Sequence, residues 1–474
     1  MSMLLVNALV LFCQQIPSSA PLTARISPSV ELHSIVFRLA GNPEYNMASS
    51  KSPYADEVEQ HFGPFRDHAV VELARSLRQE HGVSYDAVMS MAAHMDVRIT
   101  GQGAAAKAEI RAKPGLGARP ARLDARWEQD DAREFLSKLR EFARDTEFAE
   151  FFTGHEAFYK DAAARLTSSI KERDPVAWFE RFFGARAGAT FDLHVGLLNG
   201  GGCYGVSVAY ENGREEVCPV IGAGRFDDAG LPLFDEGIEQ TVVHELCHTY
   251  TNTFVDQFAD QLQPAGERLF ESCADEMKSQ AYGTWKTLMY ESLVRATTLR
   301  YVRANHNAAA AEKGARSEAQ RGFVWVGRLA DLLGEFETQR ADYATFADFM
   351  PRVVNFFDDY KVEPEKPQGK APKVVSLVPA NGAQDVDPGL TEIRVTFDRP
   401  MMDGNFSVVG GGPHFPEMTG KVSYDASHKV LILRVQLKPN WEYEFWLNRG
   451  KFNSFMSADR VRLEPVRVRF KTRS

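Results

Sequence analysis

The sequence has no excess of basic residues, few cysteines and no long apolar run in its interior. Its 55 Lys and Arg residues are outnumbered by 64 Asp and Glu residues, for a net charge of -9. The chain therefore lacks the positive surface that nucleic-acid binding requires, and we expect no nucleic-acid partner. No interior segment is long and apolar enough to form a transmembrane helix. The five cysteines do not indicate whether the protein is in an oxidising or a reducing compartment, because Cys203 and Cys218 fit either a disulfide or two buried thiols.

The first twenty residues differ from the rest of the chain. A short apolar run, Leu4 to Phe12, precedes polar residues and the small-residue stretch Ser18-Ser19-Ala20. This pattern is typical of a secretory signal peptide, although no Lys or Arg precedes the apolar run. We therefore expect residues 1–20 to be a signal peptide and the mature protein to be secreted or held in the cell envelope. The alternatives are a misassigned start and a buried N-terminal strand.

A chain of 474 residues is too long for a single ordinary core, so two or three domains are expected. Apolar residues at three- and four-residue spacing predict helices over 28–97 and 130–183, and again between 235 and 359. Residues 100–122 are rich in Gly, Ala, Pro and basic residues and are predicted as a loop, and the Ala-rich stretch 307–321 as a separator between helices. Short alternating runs between 190 and 221 predict a few strands.

A polar, proline-rich segment, residues 361–372, is predicted as a linker. Beyond it the pattern changes to short runs of alternating apolar and polar residues separated by turn residues. Ile393, Val395 and Phe397 form one such run. This pattern predicts a small β-sandwich over residues 373–474.

The run from Thr241 to Tyr250 contains His244-Glu245-x-x-His248. Residues four apart lie on one face of a helix, so both imidazoles can reach one ion. Zn²⁺ accepts two nitrogens and one carboxylate and leaves a fourth position open for water. Glu245, next to the first ligand, can take a proton from that water as general base. Cys247 is near the same face, but we expect it to be a buried small residue.

Residue spacing alone does not identify the third metal ligand. The metzincin pattern would place Gly at 251 and His at 254, where this chain has Thr251 and Phe254, so that class is excluded. Two downstream carboxylates remain. Glu271 is followed by Asp275, which could orient a ligand histidine. Glu291 is followed one helical turn later by Arg295, which could hold the carboxylate or bind an oxyanion.

Several separated segments resemble one bacterial family, domain of unknown function 4932, a group of gluzincin-like, predicted secreted metallopeptidases. The resemblance covers about residues 26–358, and its motifs here are residues 26–45, His244 to Asn252, Gln280 to Trp285 and Glu291 to Ala296. It implies an α+β, mostly helical, zincin-like metallopeptidase domain with a small mixed sheet over residues 26–360. It also implies Zn²⁺ as the metal and favours Glu291 over Glu271 as third ligand, beside His244 and His248.

The tail is similar to the bacterial Ig-like domain of the S-layer protein SbsA, on residues 375–386 and 393–401. This resemblance implies an all-β Ig-like sandwich in an envelope setting, as a spacer or binding unit.

We therefore expect a zinc metallopeptidase acting on peptides or proteins. One alternative is an envelope adhesion or scaffold protein with a non-catalytic zinc site, and the other is a zinc hydrolase acting on a non-peptide amide. In zincins an edge strand aligns the substrate, and the strands between 191 and 221 are candidates, with the glycines at 200–202 allowing either close approach or an ordinary hairpin turn. Candidate oxyanion donors are Arg295, Tyr290 and Tyr301.

Overall fold

The computed structural model describes residues 22–114, 116, 120–361, 370–404, 406–450, 452–458 and 461–474. The expected signal peptide, and all of the expected linker except its ends, lie outside these residues. The chain forms two compact units, Met1–Tyr360 and Lys361–Ser474. Helices make up 47% and strands 18% of the structure. Among the described residues, no helix combines the length and the apolar character needed to cross a membrane.

The first half of unit 1 is mainly helical. Strand β1 (Ala24–Arg25) is followed by α1 (Pro28–Leu39), α2 (Pro53–Phe62), α3 (Ala69–His81) and α4 (Asp86–Ala93). An antiparallel hairpin, β2 (Met95–Thr100) and β3 (Lys107–Ala112), comes next, and then α5 (Gln129–Asp145), α6 (Phe148–Gly154), α7 (Glu156–Ile170) and α8 (Pro175–Phe183). The prediction of a loop over 100–122 is therefore wrong for β3. Its residues do alternate, with Ala108, Ile110 and Ala112 buried or partly buried between exposed charged residues. The pattern is weak because two of the three apolar positions are alanine, which has a low strand propensity.

A small mixed sheet follows, formed by β4 (Ala189–Phe191), β5 (Leu193–Gly196), β6 (Ser207–Ala209), β7 (Glu215–Val217) and β8 (Val220–Gly222). The pairs β1–β5, β5–β8 and β4–β7 are parallel, and β6 pairs antiparallel with β7. The antiparallel register continues to the bridge between Tyr204 and Val220. Among the described residues β6 has no strand on its other side, so it is an edge strand.

The glycine-rich segment 199–202 connects β5 to β6. Because β7 and β8 lie between those two strands in the sheet, this connection is not the turn of a hairpin, which corrects that alternative. A Cβ on Gly222 would come within 2.4 Å of the carbonyl oxygen of Gly202. The close approach that the glycines allow is therefore between two segments of this chain.

The second half of unit 1 is helical: α9 (Ile238–Gln257), α10 (Ala259–Ser272), α11 (Ala274–Ser279), α12 (Trp285–Asn305), α13 (Ala308–Gln320), α14 (Val326–Thr338) and α15 (Phe346–Asp359). The stretch 307–321, predicted as a separator, is therefore mostly helix. Its N-cap is Asn307, whose side chain accepts a hydrogen bond from the amide of Ala310, and alanine has the highest helix propensity.

Helices α9 and α12 pack against each other in antiparallel orientation. At one end of the pair Tyr301 donates a 2.6 Å hydrogen bond to Glu239, and at the other Lys286 lies 2.6 Å from Asp256. The Thr284 side chain starts α12 by accepting a hydrogen bond from the amide of Thr287. These contacts set the register of the two helices, and so decide which residues face each other midway between them.

A buried carboxyl group joins α1 to the sheet. Glu31 accepts hydrogen bonds from the amide of Leu197 at 3.1 Å and from the hydroxyl of Tyr54 at 2.9 Å. Nearby, Ser34 donates to the side chain of Asn199 at 2.9 Å. Two residues of α1 therefore hold the connection that leads into the edge strand.

We expect Glu31→Gln to flatten the pH dependence of stability between about pH 4.5 and 7. Burial raises the pKa of Glu31 from 4.5 to about 7. The folded protein therefore keeps a proton that the unfolded chain releases, and the free energy of unfolding falls as the pH rises through this window. The wild type should lose up to about 1.4 kcal/mol per pH unit that the variant does not lose. Urea unfolding of both proteins at pH 5 and pH 8 measures this, and parallel losses would contradict it.

Unit 2 is all β. One sheet has the order β12 (Glu417–Met418), β14 (Val430–Gln436), β10 (Glu392–Phe397) and β9 (Val374–Val378), with β13 (Ser423–Tyr424) also paired to β14. The other has the order β11 (Val408–Val409), β15 (Glu442–Leu447) and β16 (Val466–Lys471). Buried side chains of both sheets, Ile393, Val395, Phe397, Tyr443 and Phe445 among them, form one core. The predicted two-sheet Ig-like region is confirmed.

Candidate metal centre

The side chains of His244, His248 and Glu291 converge between α9 and α12. The Nε2 atoms of the two histidines are 3.2 Å apart. The Glu291 carboxylate lies 3.5 Å from Nε2 of His244 and 3.4 Å from Nε2 of His248. The three side chains are 21%, 15% and 8% exposed, respectively. Within the described residues this is the one group of three or more His, Cys, Asp or Glu whose ligand atoms lie within 4.8 Å of one another.

The donor set of this group fits a divalent cation. Nδ1 of His248 lies 3.2 Å from the side-chain oxygen of Asn252, so a proton on Nδ1 leaves the lone pair of Nε2 free to face His244 and Glu291. The Oε2 atom of Glu291 is buried and accepts no well-aligned hydrogen bond, although Nη2 of Arg295 lies 2.9 Å from it. A single shared proton joins only two of the three groups, whereas a cation accepts a lone pair from each. Two imidazoles and one carboxylate are a ligand set suited to Zn²⁺.

Burial and charge act in opposite directions on the three groups. Burial lowers the pKa of His244 to about 3. It also acts to lower the pKa of His248, but the hydrogen bond and charge of Glu291 outweigh it and raise that pKa to about 9. For Glu291, burial is outweighed by the hydrogen bond from His248 and by the nearby positive charges, and its pKa lies well below the usual range. Glu291 is therefore a carboxylate at neutral pH.

Glu245 lies beside this group on α9 and is buried. Burial raises the pKa of Glu245 to about 7, while the charge of His248 and the nearby backbone amide of Gly205 act to lower it. Gly205 belongs to the segment that leads into the edge strand β6, so this contact joins the edge of the sheet to the helix that carries the histidines. A Cβ on Gly205 would lie 2.0 Å from the backbone oxygen of Glu245 and 3.0 Å from Cβ of His248.

We therefore expect Gly205→Ala to destabilise the site. The added methyl group overlaps with backbone, so the edge segment must move away from α9, and overpacking of this kind costs about 1–3 kcal/mol. The melting temperature and the zinc affinity should both fall. Gly201→Ala is the matched control, since a Cβ there meets nothing within 4 Å. Equal melting temperatures for the two variants would show that the contact with α9 is unimportant.

The other residues singled out in the sequence lie elsewhere. Glu271 and Asp275 are exposed, on α10 and α11, and are not in the group. Cys247 is buried, its backbone oxygen accepts a hydrogen bond from the hydroxyl of Thr251, and it is also outside the group.

The three candidate oxyanion donors are all engaged. Tyr290 donates to Asp256, and Tyr301 donates to Glu239 from a fully buried position. Arg295 is bound to Glu291, with Nη2 2.9 Å from Oε2.

Sequence reasoning missed Tyr282. Its hydroxyl accepts a 3.1 Å hydrogen bond from Nη2 of Arg295, and burial, together with the charge of Glu291, acts to raise the pKa of this hydroxyl. The residue lies in a turn before α12, nine positions from Glu291, where no helical periodicity relates the two. Only the folding of that turn against α12 brings this hydroxyl to the centre.

The four cysteines in the described residues, Cys203, Cys218, Cys247 and Cys273, are free. Cys203 and Cys218 belong to the two strands of one antiparallel ladder, in which Val206 faces Cys218. Cys203 is therefore three positions, about 10 Å, out of register with Cys218. A disulfide needs Cα atoms less than about 7 Å apart, so this ladder excludes the pair.

A helical unit with a small mixed sheet and a partly buried His–His–Glu group, followed by an Ig-like unit, defines a two-part protein with a candidate metal centre. Residues 22–356 match the family described as Domain of unknown function (DUF4932), and the chain belongs to this family. Residues 368–472 match the Bacterial Ig-like domain family Big_5. No curated protein matches the chain.

Two solved structures of S-layer protein SbsC also show similarity to the chain. The crystal structure of SbsC residues 31–844 has 14% identity, covers 48% of this chain and 33% of its own, and has a TM-score of 0.16. The structure of SbsC domains 1–6 has 12% identity, 53% and 35% coverage, and a TM-score of 0.15. The chain thus spans about a third of the length of these structures.

Proposed function

We propose that this protein is a zinc-dependent hydrolase that cleaves peptide bonds. The observation that carries the proposal is the convergence of His244, His248 and Glu291 on one point, with Glu245 buried beside it. The spacing of His244 and His248 already places both on one face of α9. Glu291 comes from α12, and its negative charge and its distance from the two imidazoles suit a cation shared by all three side chains. A non-catalytic zinc site has no use for a second buried carboxyl group, Glu245, next to its ligands.

His244, His248 and Glu291 would hold the zinc ion, which would act as a Lewis acid toward the substrate carbonyl and the attacking water. Glu245 would accept the proton of that water and later pass it to the leaving amine. Asn252 would keep His248 in the tautomer whose Nε2 binds the metal.

The free edge of β6 supports a peptide as the substrate. In the ladder with β7, residues 204, 206 and 218 direct their backbone groups toward the partner strand. Since this direction alternates along a strand, Gly205, Ser207 and Ala209 direct theirs outward. An extended peptide can add to such an edge as a further strand. Gly205 contacts α9, so a peptide bound there would pass the candidate metal centre.

A zincin-like fold for unit 1 and a place outside the cytoplasm complete the proposal. The small mixed sheet with an antiparallel edge beside the helix of the histidines is the arrangement expected of zincins. The Ig-like unit favours the cell envelope or an extracellular setting, where it would act as a spacer or binding unit. Export by the signal peptide expected over residues 1–20 is part of the same proposal.

The test is metal analysis of the purified full chain, together with cleavage assays on a peptide library and on small non-peptide amides. We expect one zinc per chain and cleavage of peptides. A chain that purifies without zinc, or with iron in its place, would overturn the metal assignment. Zinc without hydrolysis would favour the adhesion or scaffold role, and hydrolysis confined to the small amides would move the substrate class away from peptides.

A further inference from the structure

A line of alternating charges runs from the candidate metal centre to helix α13. Nη2 of Arg295 is 2.9 Å from Oε2 of Glu291, and Nη1 of Arg295 is ion-paired with Oε2 of Glu318. The side chain of Arg295 is 6% exposed and that of Glu318 is 18% exposed. One guanidinium is thus shared between the candidate ligand on α12 and a carboxylate on α13.

Arg295 is held in this position from several sides. Phe323 lies under the guanidinium, with the ring centre 4.5 Å from its central carbon, and Tyr282 accepts a hydrogen bond from the same nitrogen that contacts Glu291. Glu318 has a second partner, Arg321, at 3.8 Å. Arg321 is 56% exposed, so that pair is screened by solvent and contributes little.

An arginine bound to a ligand carboxylate has two opposing effects on a metal site. It fixes the orientation of the carboxylate, which favours metal binding, but it also withdraws electron density from the carboxylate and places a positive charge near the cation. Burial strengthens both effects because solvent screening is weak there. A second carboxylate on the far side of the guanidinium would reduce the electrostatic cost and keep the orientation.

We propose that Glu318 is a positioning residue that neutralises Arg295 and thereby raises the affinity of the site for zinc. The inference deepens the proposed function and rests on it. Helix α13 then has a role in the metal centre, although it contributes no ligand. With Glu318 uncharged, the guanidinium would interact more strongly with Glu291, in competition with the metal.

The test is the zinc affinity of the full chain, measured by competition with a chromophoric chelator. We expect Glu318→Gln to lower the affinity by about 10-fold, the low end of the 10- to 100-fold range of groups that contact metal ligands, because Glu318 acts through Arg295. Glu312→Gln is the matched control, because Glu312 is an exposed glutamate of the same helix and its replacement changes the charge equally. It should leave the affinity unchanged.

A double-mutant cycle tests whether Glu318 acts through Arg295. In an Arg295→Gln background, Glu318→Gln should change the affinity by less than about 2-fold, since its partner is gone. Equal affinities for Glu318→Gln and Glu312→Gln, with zinc bound by the wild type, would overturn the inference and leave the proposed function standing. A wild type that binds no zinc would overturn both.

The melting temperature of each variant, measured without metal, shows whether that variant is folded. If Glu318→Gln does not fold, Glu318→Asp replaces it, because aspartate keeps the charge on a side chain one methylene shorter. Because the charge is kept, Glu318→Asp should bind zinc nearly as tightly as the wild type. A folded Glu318→Asp variant whose affinity falls by about 10-fold or more, the loss expected on removing the charge, would contradict neutralisation by Glu318.

Discussion

Glu245→Gln should reduce peptide hydrolysis by about 10²- to 10⁴-fold while the zinc content stays at the wild-type level. Glutamine has nearly the same shape as glutamate and fills the same space beside Gly205. It cannot accept a proton from water at neutral pH. The loss should therefore appear in kcat, with KM changed little, because the edge strand that would bind the peptide is intact.

The measurement is steady-state cleavage of a peptide selected from the library, with bound metal determined on the same samples. Glu271→Gln is a suitable control, since it makes the same chemical change at an exposed glutamate and should keep full activity. Activity of Glu245→Gln close to the wild-type value would rule out this residue as the base. Loss of zinc from that variant would instead show that its role is structural.

The second large effect is expected at the third ligand. Glu291→Ala should lower the zinc affinity by more than about 100-fold, beyond the range of groups that merely contact a ligand, whereas Glu271→Ala should leave it unchanged. Glu291 lies within 3.5 Å of both histidines, and Glu271 is exposed on α10 and outside the group.

Removing Glu291 also leaves Arg295 buried with one carboxylate fewer, so part of any loss could come from destabilisation. Glu291→Gln, which fills the same space, and the melting temperature of each metal-free variant separate the two effects. Zinc loss from Glu271→Ala together with retention by Glu291→Ala would show that the assignment of the third ligand is wrong.

Much of the secondary structure could be predicted because its signals are local. The alternation at Ile393, Val395 and Phe397 indicates a strand with one buried face wherever it occurs, and the structure buries all three residues. Strand β3 was missed although Ala108, Ile110 and Ala112 alternate with charged residues, because alanine is a weak strand former and the surrounding stretch is rich in Gly and Pro. The stretch 307–321 was predicted as a separator between helices, although most of it is helix α13. An alanine-rich polar sequence has a high helix propensity but little of the apolar periodicity from which helices were predicted.

The sequence by itself determined that His244 and His248 share one face of a helix, because residues four apart lie on the same face of any helix. It also determined that Glu245 directly follows His244. Residue spacing allowed either Glu271 or Glu291 as the third ligand, and only the resemblance to the family favoured Glu291. The tertiary structure decided which of them faces the histidines, since the contacts of Glu239 with Tyr301 and of Asp256 with Lys286 set the register of α9 against α12. It also decided the contacts of Tyr282, Gly205 and Glu318 with the centre. Such contacts join residues distant in the chain, and they depend on the packing of helices and the edge strand, which no local pattern records.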